Sequence, residues 1–215
     1  GRGALTALAE ALDIAITEEP AYQPRRSGGG GFPPILALEI ARKGSIEACR
    51  PIYSGSFSKS LAPGLRVGWV CAAKPVIGRL VLLKQAADLH SPTINQIVTD
   101  IVARRVFTSH VARLRKAYSA RRDHMLAALA REMPEGVSWT RPEGGMFVWV
   151  TLADGMDAAD LLARALVSEK VAFVPGRAFF ADGSNGNTLR LSFSCTDAAT
   201  IDEGIARLGR AIRQG

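Results

Sequence analysis

The chain of 215 residues has little cysteine, few aromatic residues and no long apolar run. Its three cysteines, Cys49, Cys71 and Cys195, are odd in number and lack paired spacing, which argues against a disulfide framework and against a zinc site. No apolar run approaches the roughly 20 residues of a transmembrane helix. Basic and aromatic residues are not interleaved, so the net charge of +7 favours a solvated basic surface over a nucleic-acid interface. We therefore expect a cytoplasmic globular protein without a metal, a membrane anchor or a nucleic-acid partner.

What the sequence does contain is a lysine set among hydroxyl residues. Lys59 stands between Ser58 and Ser60, and Arg66 follows in the same turn-rich stretch, between two short apolar segments. A lysine amine can condense with an aldehyde. Hydroxyls, backbone N–H groups and a guanidinium can together hold a phosphate. The cofactor that carries both an aldehyde and a phosphate is pyridoxal 5'-phosphate (PLP).

The stretch Ser-Phe-Ser-Lys-Ser-Leu-Ala-Pro-Gly-Leu-Arg-Val-Gly-Trp (56–69) resembles the cofactor-lysine signature of class I/II aminotransferases. The resemblance is nearest to the branch with 2-aminoadipate and other broad-specificity aminotransferases. It also includes the aminotransferase-like domain of MocR-type transcription regulators. Similarity continues, in the family's order, through 18–22, 143–149, 171–176 and 187–194.

The order of predicted elements favours an α/β fold. Strands are expected at 13–17, 51–54 and 67–71, alternating with helices, and a long helical region at 74–131. Such an order indicates a mostly parallel sheet, with the ligand-binding and catalytic residues in loops at the ends of its strands. Together with the resemblance it predicts PLP-dependent transferase fold type I. Residues 1–108 would form the C-terminal part of the PLP-binding large domain and 109–215 a small α/β C-terminal domain, and the family's N-terminal portion would be lacking.

The remaining elements are predicted from the same periodicities. Strands are expected at 137–140, 146–152, 172–174 and 189–193, with helices at 158–168 and from Asp197 onward. The segment 23–34, rich in glycine, proline and arginine, is expected to be a loop.

The resemblance implies that Lys59 forms a Schiff base with the cofactor and then moves a proton on the substrate as general base and acid. Ser56, Ser58 and Arg66 would bind the cofactor phosphate. Serines in a turn also act as local backbone caps, and that alternative stays open for both of them.

Three further residues receive roles by resemblance. Tyr22 would bind the ring hydroxyl of the cofactor, and Glu19 stands where the family carries an aspartate that pairs with the pyridine nitrogen. Arg190 would hold the substrate's α-carboxylate. Two alternatives remain at this stage: Glu18 and Glu19 as a solvated pair, and Arg190 in a structural salt bridge.

The resemblance implies a homodimeric enzyme of amino acid metabolism, in biosynthetic processes. It would move an amino group from an amino acid to a 2-oxo acid through PLP bound to Lys59. One alternative is the PLP-binding effector domain of a MocR-type regulator, and another is a truncated, inactive fragment.

Overall fold

A computed structural model describes residues 1–20 and 33–214. The chain divides into two compact units, Gly1–Arg113 and Leu114–Gly215. The division falls inside a helix, near the domain boundary expected after residue 108.

The first unit carries a three-stranded sheet with helices before and after it. Its elements are α1 (Arg2–Ala11), β1 (Thr17–Glu18), α2 (Ile35–Lys43), β2 (Ile52–Ser56), β3 (Gly68–Cys71), α3 (Lys74–Asp88) and the first part of α4 (Thr93–Glu132). The strand order is β1-β2-β3. β1 pairs with β2 in parallel, and β2 pairs with β3 antiparallel. Because β1 and β2 are parallel, the loops that follow them leave the sheet at the same edge.

Two glycines allow β2 and β3 to approach closely around an aromatic ring. A Cβ atom on Gly55 would lie 2.3 Å from the ring of Trp69, and one on Gly68 would lie 2.7 Å from the carbonyl oxygen of Gly55. Trp69 in turn packs against Phe57, with ring centroids 4.8 Å apart. This packing fixes where β2 ends and the Lys59 loop begins.

The second unit is a four-stranded antiparallel sheet covered by helices. Its elements are the last part of α4, β4 (Ser138–Trp139), β5 (Phe147–Thr151), α5 (Ala158–Ser168), β6 (Val174–Pro175), β7 (Thr188–Ser192) and α6 (Ala198–Arg213). The strand order is β4-β5-β7-β6. Period-two alternation along β5 buries Val148 and Val150, while Phe147 and Trp149 lie on the opposite face.

One core holds this unit together. Its members are apolar side chains of the sheet face and of α4, α5 and α6, including Leu129, Leu161, Leu189, Leu208 and Phe193, each at most 1% exposed. Burial of such side chains stabilises a fold by roughly 1.5–3 kcal/mol each.

Side-chain caps begin the last two helices. Asp157 accepts hydrogen bonds from the backbone N–H groups of Ala159 and Asp160, and Asp197 accepts one from Thr200. These backbone bonds hold the pKa of both aspartates below its usual range.

Most predicted elements of the second unit match the structure within two residues, and the helix at 158–168 matches at both ends. The first strand was predicted too early, at 13–17 instead of 17–18. The reason is that residues 12–14 close the end of α1: Leu12 and Ile14 donate to the carbonyls of Leu8 and Ala9, and Asp13 takes a positive φ of 54°. The predicted loop at 23–34 lies, up to residue 32, outside the described residues.

Several apolar side chains of the first unit are exposed. No residue of α3 is buried, and Leu82, Leu83 and Ile94 are more than half exposed.

Within residues 1–20 and 33–214, no helix is long and apolar enough to cross a membrane.

Gly176 and Gly204 provide a matched test of packing in the second unit. A Cβ atom on Gly176 would lie 2.0 Å from Thr188 Oγ1 and 2.8 Å from the ring of Trp149. Gly204 lies inside α6, where a Cβ atom would meet nothing within 4 Å. In urea unfolding we expect Gly176→Ala to lower the free energy of unfolding by about 1–3 kcal/mol through overpacking. Gly204→Ala should raise it by about 0.5–1 kcal/mol through helix propensity. Equal effects of the two substitutions would contradict this packing.

Candidate active site

The segment after β2 folds into a tight series of turns that carries Lys59. The backbone N–H groups of Ser60, Leu61 and Ala62 all donate to the carbonyl oxygen of Phe57. The N–H of Phe57 donates to Val67, at the start of the return toward β3. Multiple bonds to one carbonyl close the chain on itself, so the residues between Ser56 and Arg66 are held in one compact loop.

Two contacts with α4 also stabilise this loop. The side-chain amide of Asn95, in the first turn of α4, donates to the carbonyl of Leu65 at 3.1 Å. Phe57 packs edge-on against Phe107, also in α4, with centroids 6.1 Å apart. The loop is therefore supported by a helix of its own unit as well as by the sheet.

Ser56, Ser58 and Arg66 converge within this loop. The hydroxyl oxygen of Ser56 accepts the backbone N–H of Ser58 at 3.0 Å, which leaves the O–H proton of Ser56 available to a further acceptor. The Nη1 atom of Arg66 lies 3.5 Å from Ser58 Oγ. Ser56 thus acts as a local turn cap, as the backbone alternative predicted, while keeping a donor for a ligand.

Arg66 reaches this position with left-handed backbone angles, φ 54° and ψ 36°. Such angles are uncommon for a residue other than glycine. Its guanidinium also donates to the carbonyl of Pro63, but it pairs with no carboxylate among the described residues. A guanidinium that lies beside the Ser58 hydroxyl and has no carboxylate partner among the described residues is suited to an anion such as a phosphate.

Lys59 is half-buried at the tip of the same loop. In the part of the chain that the structure describes, its ammonium group forms no hydrogen bond or ion pair. The side chain is therefore not committed to a polar contact with residues 1–20 or 33–214.

The two neighbouring glutamates behave differently. Glu18, in β1, accepts the backbone N–H of Ile35 at 2.6 Å and pairs with Arg2 at 3.0 Å, so it is a structural residue. Glu19 follows the strand and is exposed, with no ion pair to a described residue. It leaves the sheet at the same edge as the Lys59 loop, because β1 and β2 are parallel. Tyr22, the other predicted ring contact, lies outside the described residues.

Arg190 lies in the second unit, on β7, between Trp149 of β5 and Val174 of β6. The predicted alternative was a structural salt bridge, and no described carboxylate forms one with Arg190. Its guanidinium carbon instead lies over two aromatic rings, 4.1 Å from the centroid of Phe147 and 4.7 Å from that of Phe179.

Sequence reasoning assigned no role to Phe147, Phe179 or Asn95. The alternation Phe-Val-Trp-Val in 147–150 could have placed Phe147 and Trp149 on one face of a strand. Neither Phe179 nor Asn95 carries a comparable signal, because their contacts depend on distant parts of the chain. Among the described residues, no group of three or more His, Cys, Asp or Glu could hold a metal ion.

Comparison with known proteins decides the family. The family model described as aminotransferase class I and II matches residues 21–208. The chain belongs to that family. Its aminotransferase fold is shared with the α-aminoadipate aminotransferase of Thermus thermophilus, solved in complex with N-(5'-phosphopyridoxyl)-L-leucine. The two are 41% identical with a TM-score of 0.91, over 99% of this chain and 54% of that one. The predicted fold type I is thereby confirmed.

Curated members of the family give the same result. This aminotransferase-family chain is 44% identical to the 2-aminoadipate transaminase of Thermus thermophilus, over 93% of its own length and 49% of that protein. It is 42% identical to aromatic-amino-acid aminotransferase 1 of Thermococcus litoralis, over 99% and 49% of the two lengths. An uncharacterized HTH-type transcriptional regulator of Bacillus subtilis matches at 31%, over 99% and 42%. The chain thus spans about half the length of the curated relatives it matches.

Proposed function

We propose that this chain carries the cofactor-lysine half of a PLP-dependent aminotransferase, which moves an amino group from an amino acid to a 2-oxo acid. The observation that carries the proposal is the loop after β2. In this compact loop Lys59 and Arg66 lie together with the hydroxyls of Ser56 and Ser58. Neither basic residue pairs with a carboxylate among the described residues. The family and its named relatives support the same activity.

The residues of the loop fit the cofactor by the chemistry of their donors. Ser58 Oγ and Arg66 Nη1 already lie 3.5 Å apart, and Ser56 keeps a free O–H. Hydroxyl and guanidinium donors of this kind suit a phosphate, and Lys59 supplies the amine for an aldehyde. When bound, PLP supplies that aldehyde and a ring that withdraws electrons from the substrate's α carbon.

The chain's own residues would then divide the work. Arg66, Ser56 and Ser58 would hold the phosphate and so fix the position of the cofactor. Lys59 would accept the proton from the α carbon of the amino acid as general base, and later return a proton as general acid. Arg190 would hold the α-carboxylate, Tyr22 would bind the ring hydroxyl, and Glu19 would face the pyridine nitrogen.

The experiment that tests this function is a half-reaction with a panel of amino acids. The purified chain is loaded with PLP, freed of excess cofactor and mixed with single amino acids, including 2-aminoadipate, leucine and phenylalanine. The expected result is release of one equivalent of the matching 2-oxo acid per bound cofactor for at least one donor. The 2-oxo acid is measured by chromatography and mass spectrometry.

Two other outcomes of the same experiment would contradict the proposal. Attachment of the cofactor to Lys59 without release of any 2-oxo acid would favour the effector domain of a MocR-type regulator. The similarity to the HTH-type regulator of Bacillus subtilis is the reason for testing this alternative. Failure of cofactor to attach, both to the chain alone and to a mixture with the part of the Thermus thermophilus relative that the chain does not match, would favour an inactive fragment.

Finer features belong to the same proposal. We propose that residues 1–108 are part of the PLP-binding large domain and 109–215 the small domain, that the whole protein is a homodimer, and that it acts in cytoplasmic amino-acid biosynthesis. The compact units Gly1–Arg113 and Leu114–Gly215 support the first point. Free thiols at Cys49, Cys71 and Cys195 suit a reducing compartment.

Glu19 gives a prediction specific to this chain. The family carries aspartate here, and glutamate is longer by one methylene, so its carboxylate is displaced relative to the ring nitrogen. In the half-reaction we expect Glu19→Asp to keep or raise the rate, and Glu19→Gln to lower it by about 10-fold or more, because the charge that keeps the ring protonated is lost. An unchanged rate in Glu19→Gln would show that Glu19 does not serve the cofactor.

A further inference from the structure

The guanidinium of Arg190 is held by aromatic rings instead of by an acid. Its Cζ atom lies over Phe147 at 4.1 Å and over Phe179 at 4.7 Å from the ring centroids. Within the described part of the chain, no oxygen atom accepts a hydrogen bond from it. An arginine cation over the face of a phenylalanine is attracted by the ring's electron density. The side chain is thus restrained while its N–H groups keep their hydrogen-bonding capacity.

Both rings are attached to rigid parts of the second unit. Phe147 is in β5, and Trp149, two residues on, pairs directly with Arg190 across the ladder. Trp149 also meets Phe179 edge-on, with centroids 5.5 Å apart. Phe179 ends the short 3-10 helix Gly176–Phe179.

That short helix is itself fixed at its start. Gly176 is packed so closely on Thr188 and Trp149 that a Cβ atom has no room. The next residue, Arg177, forms an ion pair with Asp157 at 2.6 Å. Phe179 therefore projects from an anchored turn, not from a free loop.

We propose that Phe147 and Phe179 are positioning residues, which together hold the Arg190 guanidinium ready for the α-carboxylate of the substrate. This inference rests on the proposed function of Arg190. A carboxylate partner from the protein would compete with the substrate for the same N–H groups, whereas an aromatic ring restrains the cation without using an oxygen acceptor. An arginine that is ordered before binding loses less side-chain entropy when the substrate arrives.

Phe179 is the better of the two rings to test. It is 49% exposed, so its replacement removes little buried surface and should leave the fold intact. Phe180 supplies a matched control, because this neighbouring phenylalanine packs on Trp149, at 6.1 Å, instead of on the guanidinium. The variants are Phe179→Leu, Phe179→Tyr and Phe180→Leu, with Arg190→Gln as the reference for loss of the cation.

The first readout needs no substrate. In ¹⁵N NMR of the full chain, the Nε–H signal of Arg190, assigned with Arg190→Gln, is expected to be shifted by the rings and to show restricted motion. Phe179→Leu should reduce the ring-induced shift and increase the motion, Phe179→Tyr should preserve both, and Phe180→Leu should leave both unchanged. A mobile Arg190 signal in the unaltered chain would overturn the proposal.

The second readout is the affinity for 2-oxoglutarate, followed by titration of the same signals. We expect Phe179→Leu to weaken binding by about two- to fivefold, the scale of one exposed cation–π contact, and Phe179→Tyr to restore it. Arg190→Gln should weaken it more than about 10-fold. If Arg190→Gln weakens binding and Phe179→Leu does not, the positioning role is wrong. If Arg190→Gln changes nothing, the carboxylate role of Arg190 fails, and the positioning role fails with it.

Discussion

Lys59→Ala is expected to abolish covalent retention of PLP and to lower the rate of the half-reaction by at least about 10²–10⁴-fold. The reason is that one amine both anchors the cofactor and carries the α-proton, and loss of a general base alone accounts for an effect of this size. Lys59 has no other partner among the described residues, so its removal should leave the fold unchanged. The measurements are the mass of the borohydride-reduced protein and the yield of 2-oxo acid.

Lys84 offers the control for this experiment. It forms a solvent-exposed ion pair with Asp88 one turn later in α3, a contact that contributes little to stability. Lys84→Ala should therefore retain both cofactor attachment and the half-reaction. Equal losses in the two variants, or full activity in Lys59→Ala, would show that Lys59 is not the cofactor lysine.

Arg190→Gln is expected to lower kcat/KM for the amino acid by roughly 30-fold to 10³-fold. This range lies within the loss of about 2–5 kcal/mol that follows removal of one partner from a hydrogen-bonded charge pair. Arg190→Lys should recover only part of the loss, because an ammonium group cannot bind a carboxylate in the two-pronged geometry of a guanidinium. The measurement is the dependence of the half-reaction rate on amino acid concentration.

Arg164 provides a matched arginine for comparison. It is exposed in α5 of the same unit, and Arg164→Gln should leave kcat/KM within about twofold of the unaltered chain, as expected for surface substitutions. Cofactor attachment at Lys59 should survive in Arg190→Gln, since the two residues have separate roles. An Arg190→Gln variant with normal kcat/KM would remove Arg190 from the substrate site.

The sequence was sufficient for features that depend on neighbouring residues. The spacing of Ser56, Ser58, Lys59 and Arg66 placed them in one turn-rich stretch, because all four lie within residues 56–66. The helix at 158–168 was predicted with its full bounds, because Asp157 before it and the apolar period along it are local signals.

Features that depend on distant residues could not be predicted. Arg66 adopts left-handed backbone angles in a loop that is closed by hydrogen bonds of Phe57, one of them to Val67. No residue type in the motif predicts these angles. The sequence does not distinguish Glu18 from Glu19. The difference arises because α2 places the backbone N–H of Ile35 where it donates to the Glu18 carboxylate. The aromatic contacts of Arg190 likewise bring together three separate segments.

Peptide mapping can identify which lysine binds PLP, and Lys59 is the residue we expect. The chain is incubated with PLP, reduced with borohydride and digested, and the peptides are identified by tandem mass spectrometry. We expect the phosphopyridoxyl mass on the peptide containing Lys59 and on no other lysine at a comparable level. Labelling spread evenly over the surface lysines, or concentrated on another lysine, would show that Lys59 is not the cofactor lysine.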